Sequence, residues 1–292
     1  APGPGEVLVR IRAAGVNPVE TYIRSGSYGR LPELPYTPGT DGAGEVEAVG
    51  PGVATAVGAR VYLGGSLTGT YAEKALGRED QVHPLPDRVD FAMGAAVSIP
   101  YFTAYRALFQ RAGARPGETV LIHGASGGVG QAAVQLARSS GLLVLGTAGS
   151  ERGRREVLEH GAHACFDHTE PGYGEAIRPY APAIILEMLA NVNLERDLSL
   201  LAPRGRVVVI GNRGRLDFDP RLAMVGEHSI LGTLLSNATE PEMREARARI
   251  EAGLRDGTLA PVVGHRFPLS QAARAHEAVM GARRCGKVVL DC

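Results

Sequence analysis

The clearest hydrophobic pattern in the chain changes its period at a cluster of glycines. A short apolar run with β-branched residues, Thr119 to Ile122, predicts a buried strand. Beyond the glycines, apolar residues recur at helical spacing as far as Ser140, which predicts a helix. A second apolar run, Leu142 to Thr147, follows Gly141. This order predicts a βαβ unit whose glycine-rich loop leads into a helix.

Strand and helix patterns continue to alternate through the middle of the chain. The further predicted strands are Ala164 to Phe166, Ile184 to Met188, Arg206 to Gly211, and Ser229 to Gly232 with Leu234 and Leu235. The predicted helices are Glu151 to His160 and Asn193 to Leu201. This alternation predicts an α/β fold with a doubly wound parallel sheet, in which ligands bind beyond the carboxyl ends of the strands.

The N-terminal region has a different pattern. Apolar and other residues alternate from Glu6 to Arg12, and prolines and glycines then separate short apolar segments from Asn17 to Gly65. Further short strands are predicted at Ala59 to Leu63 and Tyr71 to Leu76. Together these features predict a small barrel-like β domain.

Two domains are therefore predicted. Helical spacing begins near Phe91, and we place the first boundary near Ala96. A charge-rich helix, a second helix and a final strand are predicted at Glu240 to Asp256, Ser270 to Met280 and Lys287 to Leu290. The β-rich domain would then comprise residues 1–95 and 239–292, and the parallel-sheet domain residues 96–238.

Composition narrows the range of partners. The 292 residues include 31 Lys and Arg and 31 Asp and Glu, so no overall basic field favours nucleic acid or an anionic membrane. No apolar run approaches the roughly 20 residues that cross a bilayer. The chain has only three cysteines, without the close spacing of a metal or redox motif, which favours a cytoplasmic setting.

The glycine-rich loop has the composition of a phosphate-binding turn. Gly124, Gly127 and Gly130 depart from the strict G-x-G-x-x-G spacing, and an ordinary tight turn is the alternative. A helix that begins here directs unpaired N–H groups and a positive dipole end at a bound pyrophosphate. The surrounding βαβ pattern favours dinucleotide binding.

The segment after the second strand of this unit bears on the choice between NAD and NADP. Gly149 and Ser150 are small enough to leave room for a 2′-phosphate, and arginines that could bind it follow. These arginines are Arg152, Arg154 and Arg155. Alternatively, Ser150 caps a helix, Glu151 is its first-turn acid and the arginines are solvated. The arginines favour NADPH, although Glu151 opposes a phosphate.

Several ordered blocks of sequence resemble one family. They are Gly15 to Gly26, Leu34 to Gly39, Ile99 to Arg106, His123 to Gly130 and Glu187 to Asn193. Over essentially its whole length the chain resembles the zeta-crystallin-like NADPH:quinone oxidoreductases, a zinc-independent family of the medium-chain dehydrogenase/reductase superfamily. The resemblance implies that opening strands of the family precede the equivalent of Ala1, and that the family's loop is longer at 180–184.

The resemblance implies a GroES-like β-rich catalytic domain, a Rossmann domain and a quinone site in the cleft between them. It also implies NADPH as the cofactor and no metal. The positions that match the family's cofactor-contacting segments are Tyr22, Ser126, Gly127, Gly128, Val129, Gly149, His168, Asn193, Ile210, Gly211, Asn212, Arg213, Thr233, Leu234 and Leu235. We add Arg152 and Arg154 to this set, and we interpret His123 as a packed residue with a satisfied ring.

Catalytic chemistry without zinc favours an acceptor that needs little activation, such as a quinone, over an alcohol. Three scattered cysteines do not supply the ligands of a typical zinc site. Tyr22, then Asn17, then Tyr28 are the candidates for contacting nicotinamide or quinone, and the alternative is that Asn17 caps a turn while the tyrosines pack.

Two other functions remain open at this point. An NADPH-dependent reductase of activated alkenes would share the fold and would need a proton donor such as Tyr22. The resemblance also includes lens crystallins and AU-rich RNA recognition, so a non-catalytic or RNA-binding role is the third possibility. It further implies a homodimer or homotetramer.

Overall fold

The computed structural model describes residues 1–281 and 285–292, and the chain divides into two compact units. The first unit comprises Ala1–Ile99 and Glu251–Cys292, and the second comprises Pro100–Ile250. The joins between these units fall within helices, whereas the sequence prediction places the joins near Ala96 and at residue 239. The domain limits deduced from the sequence therefore stay a prediction.

Thirteen strands are found in the described part of the chain. In order they are β1 (Glu6–Val16), β2 (Asp41–Val49), β3 (Arg60–Gly64), β4 (Lys74–Arg78), β5 (Val82–Pro84), β6 (Thr119–Ile122), β7 (Leu143–Thr147), β8 (Ala164–Phe166), β9 (Ile184–Glu187), β10 (Arg206–Val209), β11 (Ser229–Gly232), β12 (Val263–Pro268) and β13 (Lys287–Asp291).

The α-helices lie between these strands. They are α1 (Pro18–Arg24), α2 (Phe91–Gly94), α3 (Ser98–Tyr105), α4 (Gly128–Ser139), α5 (Glu151–Glu159), α6 (Tyr173–Ile177), α7 (Ala190–Leu200), α8 (Arg221–Val225), α9 (Glu240–Asp256) and α10 (Ala272–Met280). None of the described helices is both long and apolar enough to cross a membrane.

The first unit is built on a seven-stranded sheet with the order β12-β13-β1-β2-β3-β5, and β4 also pairs with β1. Strand β1 pairs antiparallel with β13, β2 and β4, so it is the centre of the sheet. Its alternating residues Val7, Val9 and Ile11 are buried, as the sequence pattern predicts. These residues belong to a core that also includes Val279 and Leu290 from the C-terminal segment.

The second unit is a six-stranded parallel sheet with the order β11-β10-β9-β6-β7-β8. Chain order reverses at β6, since β7 lies on one side of it and β9 on the other. This arrangement confirms the doubly wound α/β prediction. The carboxyl ends of parallel strands lie at one edge, so the loops after β6, β7, β9 and β10 lie near one another.

Two of the predicted element bounds that bear on the candidate site are wrong, namely the end of β11 and the start of α7. Leu234 and Leu235 do not extend the last strand, because β11 ends at Gly232 and a 3₁₀ turn begins at Leu235. The neighbouring strand β10 ends at Val209, whose carbonyl accepts from the Thr233 N–H, so no further ladder partner is available. Helix α7 begins before the predicted start at Asn193, which places Asn193 in its first turn.

Candidate functional site

The glycine-rich loop connects β6 directly to α4. Gly124 has φ +56°, a left-handed conformation that favours glycine, and helix α4 begins at Gly128 with Gly127 as its N-cap. A Cβ atom on Gly130 would lie 2.4 Å from the Gly124 carbonyl oxygen, so the helix packs against the loop only with glycine there. No acidic side chain lies in the first turn. The unpaired N–H groups of Gly128 and Val129 therefore suit a bound anion.

Neighbouring loops are linked to this loop by specific contacts. The Ala125 N–H donates to the Thr147 carbonyl at 2.8 Å, which joins the ends of β6 and β7. A Cβ on Gly153 would lie 3.1 Å from the Ser126 Cβ, so helix α5 also approaches the loop closely. The side chain of Ser126 is buried. These contacts place the predicted segment from Ser126 to Val129 at the edge where strand ends meet.

Gly149 and His168 lie against each other. A Cβ on Gly149 would lie 2.8 Å from the His168 Nε2, so a larger residue at this position would displace the His168 ring. Burial lowers the pKa of His168, and the charge of Asp167 opposes that shift. His168 is therefore a neutral, solvent-exposed ring in the loop after β8, a suitable contact for an adenosine.

The arginine segment after Gly149 has the capping arrangement that the alternative interpretation describes. Ser150 caps α5, since its hydroxyl accepts from the Gly153 N–H at 3.1 Å. Arg152 is exposed and pairs with Glu156 at 2.9 Å. Arg154 is partly buried and pairs with Asp167. A phosphate bound here would have to compete with these carboxylates.

The ends of β9 and β10 are also joined. The Asn191 N–H donates to the Asn212 Oδ1 at 3.0 Å, and the Arg213 N–H donates to the Asn191 Oδ1 at 2.9 Å. A Cβ on Gly211 would lie 2.2 Å from the Met188 carbonyl oxygen. The predicted segment Ile210 to Arg213 thus lies against the first turn of α7, which also contains Asn193. Thr233, Leu234 and Leu235 follow β11 at the end of the same sheet.

A buried cluster beneath the glycine-rich loop was not predicted. The His123 Nε2 lies 2.9 Å from the Asp197 Oδ1 and 3.7 Å from the Glu187 Oε2, and all three side chains are buried. The His123 Nδ1 lies 3.2 Å from the Thr147 hydroxyl, which also accepts from the Gly124 N–H. His123 is therefore a packed residue with a satisfied ring, as the sequence suggested, but its partners connect it to the loop.

The predicted cofactor residue Asn193 contacts this cluster. Its Nδ2 donates to the Glu187 Oε1 at 3.2 Å, and the same oxygen accepts from the Leu189 N–H. Burial raises the pKa of Glu187 to about 7, His123 opposes the rise and Asp197 adds to it. One carboxyl group thus holds the first turn of α7 in place.

The first unit contains its own buried polar network. The Lys287 ammonium donates to the Asp41 Oδ2 at 2.7 Å and to the Asn17 Oδ1. The Asn17 Nδ2 donates to the same Asp41 oxygen at 3.0 Å. Glu20 accepts from the Asn17 N–H at 2.7 Å and from the Tyr71 hydroxyl at 2.7 Å. Burial raises the pKa of Glu20, and the charge of Lys287 opposes the rise.

This network bears on the predicted catalytic residues. Asn17 is 4% exposed, its amide donors and acceptor are all engaged, and it precedes helix α1 as its N-cap. A direct contact of Asn17 with substrate is therefore disfavoured, and the capping alternative describes its position. Tyr22 in α1 and Tyr28 after it are partly exposed, and no hydrogen bond of either hydroxyl to the described residues is found. Both stay candidates for substrate contact.

The sequence predicts no metal site, and the structure shows which potential metal-ligating side chains lie close together. Among the described residues, the group of His, Cys, Asp and Glu side chains close enough to share an ion is His123, Glu187 and Asp197, with ligand atoms within 4.8 Å of one another. It contains no cysteine and lies beneath the glycine-rich loop. The absence of a bound metal stays a prediction.

Comparison with known proteins matches both halves of the chain to described families. Residues 3–87 match the alcohol dehydrogenase GroES-like domain, and residues 128–252 match the zinc-binding dehydrogenase family. The chain is 50% identical to human quinone oxidoreductase over 295 residues, which cover 99% of this chain and 90% of the human protein.

Solved structures agree with this similarity. The quinone oxidoreductase of Pseudomonas syringae pv. tomato superposes with a TM-score of 0.89 at 29% identity, covering 100% of this chain and 93% of that one. A mycobacterial protein solved in complex with NADPH superposes with a TM-score of 0.90 at 29% identity, covering 100% of this chain and 92% of that one.

Proposed function

The chain belongs to the quinone oxidoreductase family of the medium-chain dehydrogenase/reductase superfamily, and from this premise we propose that it reduces quinones with NADPH. The observation that carries the proposal is 50% identity to a quinone oxidoreductase across 99% of the chain. The glycine turn that leads into the start of α4, at Gly124 and Gly130, supports it. The alkene-reductase and crystallin or RNA-binding alternatives have no comparable support.

The described residues suit the parts of NADPH. The first-turn N–H groups of α4, at Gly128 and Val129, would hold the pyrophosphate. His168 would pack against the adenosine, and Asn193 would hydrogen-bond towards the nicotinamide. When bound, NADPH supplies the hydride equivalent, and a quinone takes it up with a proton to become a hydroquinone.

Selection of the 2′-phosphate is assigned to Arg154 and Arg152. Both guanidinium groups are already ion-paired, so each must exchange a carboxylate for the phosphate. Arg152 does this at little cost because its pair with Glu156 is exposed. Bidentate binding of a dianionic phosphate is the stronger interaction, which supports a preference for NADPH over NADH.

The acceptor test is a steady-state comparison at saturating NADPH. A quinone and an α,β-unsaturated ketone are supplied in turn, and loss of NADPH is followed. We expect rapid turnover with the quinone and little with the enone. Turnover of the enone alone would instead identify an alkene reductase with Tyr22 as the first proton donor to examine.

We further propose that the protein forms a homodimer through β11. This strand lies at the edge of its sheet, and Ile230 and Leu234 are 40% and 47% exposed. Met224 and Val225, which precede this strand in the chain, expose more apolar surface. Two copies related by a two-fold axis could pair these edges and cover that surface.

Light scattering coupled to size exclusion tests the dimer. Ile230→Lys should convert the protein to a monomer, whereas Leu158→Lys, at an exposed apolar position on α5, should not. A wild-type monomer would refute the proposed interface. A tetramer that Ile230→Lys reduces to dimers would place β11 at one of two interfaces.

A cytoplasmic location is proposed from the cysteines. Cys165 and Cys292 are thiols, and burial raises their pKa values to about 12 and about 11. Such thiols suit a reducing compartment, because the structure does not depend on pairing them. Fractionation of the source cells would test this location.

A further inference from the structure

Two buried carboxylate oxygens beneath the nucleotide loop are without a hydrogen-bond partner in the described structure. They are the Oε2 of Glu187 and the Oδ2 of Asp197, and both side chains are completely buried. The two carboxyl groups face each other across the cluster that contains His123. Buried oxygens of this kind are costly unless they are satisfied. A single proton between the two carboxyl groups would satisfy both oxygens at once.

The hydrogen bonds of Thr147 and His123 leave the Glu187 Oε2 and the Asp197 Oδ2 as the site for this proton. The Thr147 hydroxyl accepts from the Gly124 N–H and also contacts the His123 Nδ1, which accepts from that hydroxyl when the ring is neutral and donates to it when the ring is protonated. His123 then donates from Nε2 to the Asp197 Oδ1 at 2.9 Å. Asp197 then has only its Oδ2 left for the neighbouring Glu187 carboxyl group, with which it interacts.

The other carboxylate oxygen of Glu187 contacts the start of α7, which contains the proposed nucleotide-binding residue Asn193. The Glu187 Oε1 accepts from the Leu189 N–H and from the Asn193 Nδ2. A shared proton fixes the carboxyl plane, so it also fixes this oxygen. Loss of the proton would leave two facing carboxylates that repel each other and would add negative charge beneath a loop that receives a pyrophosphate.

We propose that Glu187 is a positioning residue for NADPH, which holds Asn193 and the Leu189 N–H in the binding geometry only while its other oxygen shares a proton with Asp197. The proposal rests on the nucleotide-binding function proposed above. It makes nucleotide binding and protonation of the cluster mutually dependent, so that binding NADPH draws a proton from solvent.

The groups that face this pair lie after β6, on α6 and on α7 itself. His123 follows β6, Arg196 lies on α7 beside Asp197, and Tyr173 lies on α6. The Arg196 guanidinium bonds the Tyr173 hydroxyl and stacks over its ring. Burial alone would lower the pKa of His123, but Asp197 and Glu187 outweigh it and raise that pKa. His168 also interacts with His123, and burial lowers the His168 pKa.

The direction of the pH dependence follows from these groups. Since Glu187 has a pKa of about 7, the proton is present below that pH and is lost as the pH rises through it. His168, with its lowered pKa, is already neutral in that range. NADPH affinity should therefore weaken roughly 25-fold between about pH 6.5 and about pH 8.5.

The decisive measurement is calorimetric titration of NADPH in buffers of different ionisation enthalpy, which counts protons taken up on binding. Wild-type protein should take up a fraction of a proton per nucleotide at about pH 8. NADH lacks the 2′-phosphate, which could itself take up a proton, and it therefore serves as a control. NADH should show the same proton uptake, because the proton is taken up by the Glu187–Asp197 pair. The exposed Glu195 on α7 provides a matched control, and Glu195→Gln should behave as wild type.

Two amide variants reproduce the protonated cluster. In Glu187→Gln the amide donates to Asp197, and in Asp197→Asn the amide donates to Glu187. Each should bind NADPH within about twofold of the wild-type affinity near pH 6.5, take up no proton and show no loss of affinity at higher pH. Having two variants keeps the test informative if one of them fails to fold.

The contrary outcomes are distinct. Proton uptake that persists in both amide variants would overturn the proposal, and so would a Glu187→Gln protein that binds NADPH weakly at every pH. Loss of NADPH affinity after dialysis against a chelator would also overturn it, because a metal would then take the place of the proton. Wild-type binding without proton uptake would refute this proposal alone, whereas absence of NADPH binding would refute the proposed function as well.

Discussion

Replacing Lys287 by methionine removes the only positive charge described within the buried network of the first unit. The Lys287 side chain is 4% exposed, and its ammonium group lies 2.7 Å from the completely buried Asp41 carboxylate. Methionine has a similar length and fills much of the same volume. The main consequence of Lys287→Met is therefore an uncompensated buried carboxylate rather than a cavity.

The remaining contacts of Asp41 set the magnitude. Breaking a buried ion pair by removing one partner typically costs about 3–5 kcal/mol. Asp41 keeps two donors, the Ile99 N–H and the Asn17 Nδ2, each at 3.0 Å. We therefore expect the lower end of that range, about 3 kcal/mol, which corresponds to a fall in Tm of roughly 6–10 °C.

Differential scanning calorimetry is the appropriate assay, because the chain has no tryptophan to report unfolding. The double variant Lys287→Met with Asp41→Asn should recover most of the loss, since it removes both charges. The coupling between the two positions should then be about 2 kcal/mol or more. A Tm of Lys287→Met equal to that of wild type, or a double variant less stable than either single variant, would refute this reasoning.

The other predictions concern the nucleotide and the acceptor. Gly130→Val should abolish NADPH binding because a side chain there meets loop backbone, while Gly232→Ala, in open space, should leave binding unchanged by fluorescence titration. Arg154→Gln should lower NADPH affinity roughly tenfold and leave NADH affinity unchanged. Asp167→Asn should raise NADPH affinity, since it releases Arg154 from its ion pair, and a fall would contradict the assigned phosphate site. Tyr22→Phe should reduce kcat with quinones by less than about threefold. A reduction of about a hundredfold would instead identify the Tyr22 hydroxyl as a proton donor.

Much of the local structure around the candidate nucleotide site could be predicted because its signals are local. The change from strand to helix periodicity around Gly124 to Gly130 specifies where a loop must meet a helix start. Strand β8 and helix α9 have the bounds that their patterns predict, since turn residues or charge changes flank each of them. Strand β11 was extended too far because nothing in Leu234 and Leu235 reveals that the neighbouring strand has ended.

The two buried networks could not be predicted, because they join residues far apart in the chain. His123 and Asp197 are separated by 74 residues, and Lys287 and Asn17 by 270. A weak signal was nevertheless present. Glu187 ends an apolar strand and Lys287 begins one, and an ionisable residue inside a buried strand requires a buried partner. The sequence indicates that such a partner exists without identifying it.

The arginines after Gly149 illustrate a different limit. Their charge indicated a phosphate site, but the sequence did not reveal that Arg154 is already paired with Asp167. Ion pairs between neighbouring loops depend on which strand ends lie side by side. That order became known only from the sheet, where β7 lies next to β8.

Initial rates of NADPH oxidation with a quinone test the central claim most directly. The account predicts saturable turnover of the quinone, a kcat/KM at least about tenfold higher with NADPH than with NADH, and loss of activity in Gly130→Val. Purified, folded protein that binds NADPH but turns over no quinone would contradict the account.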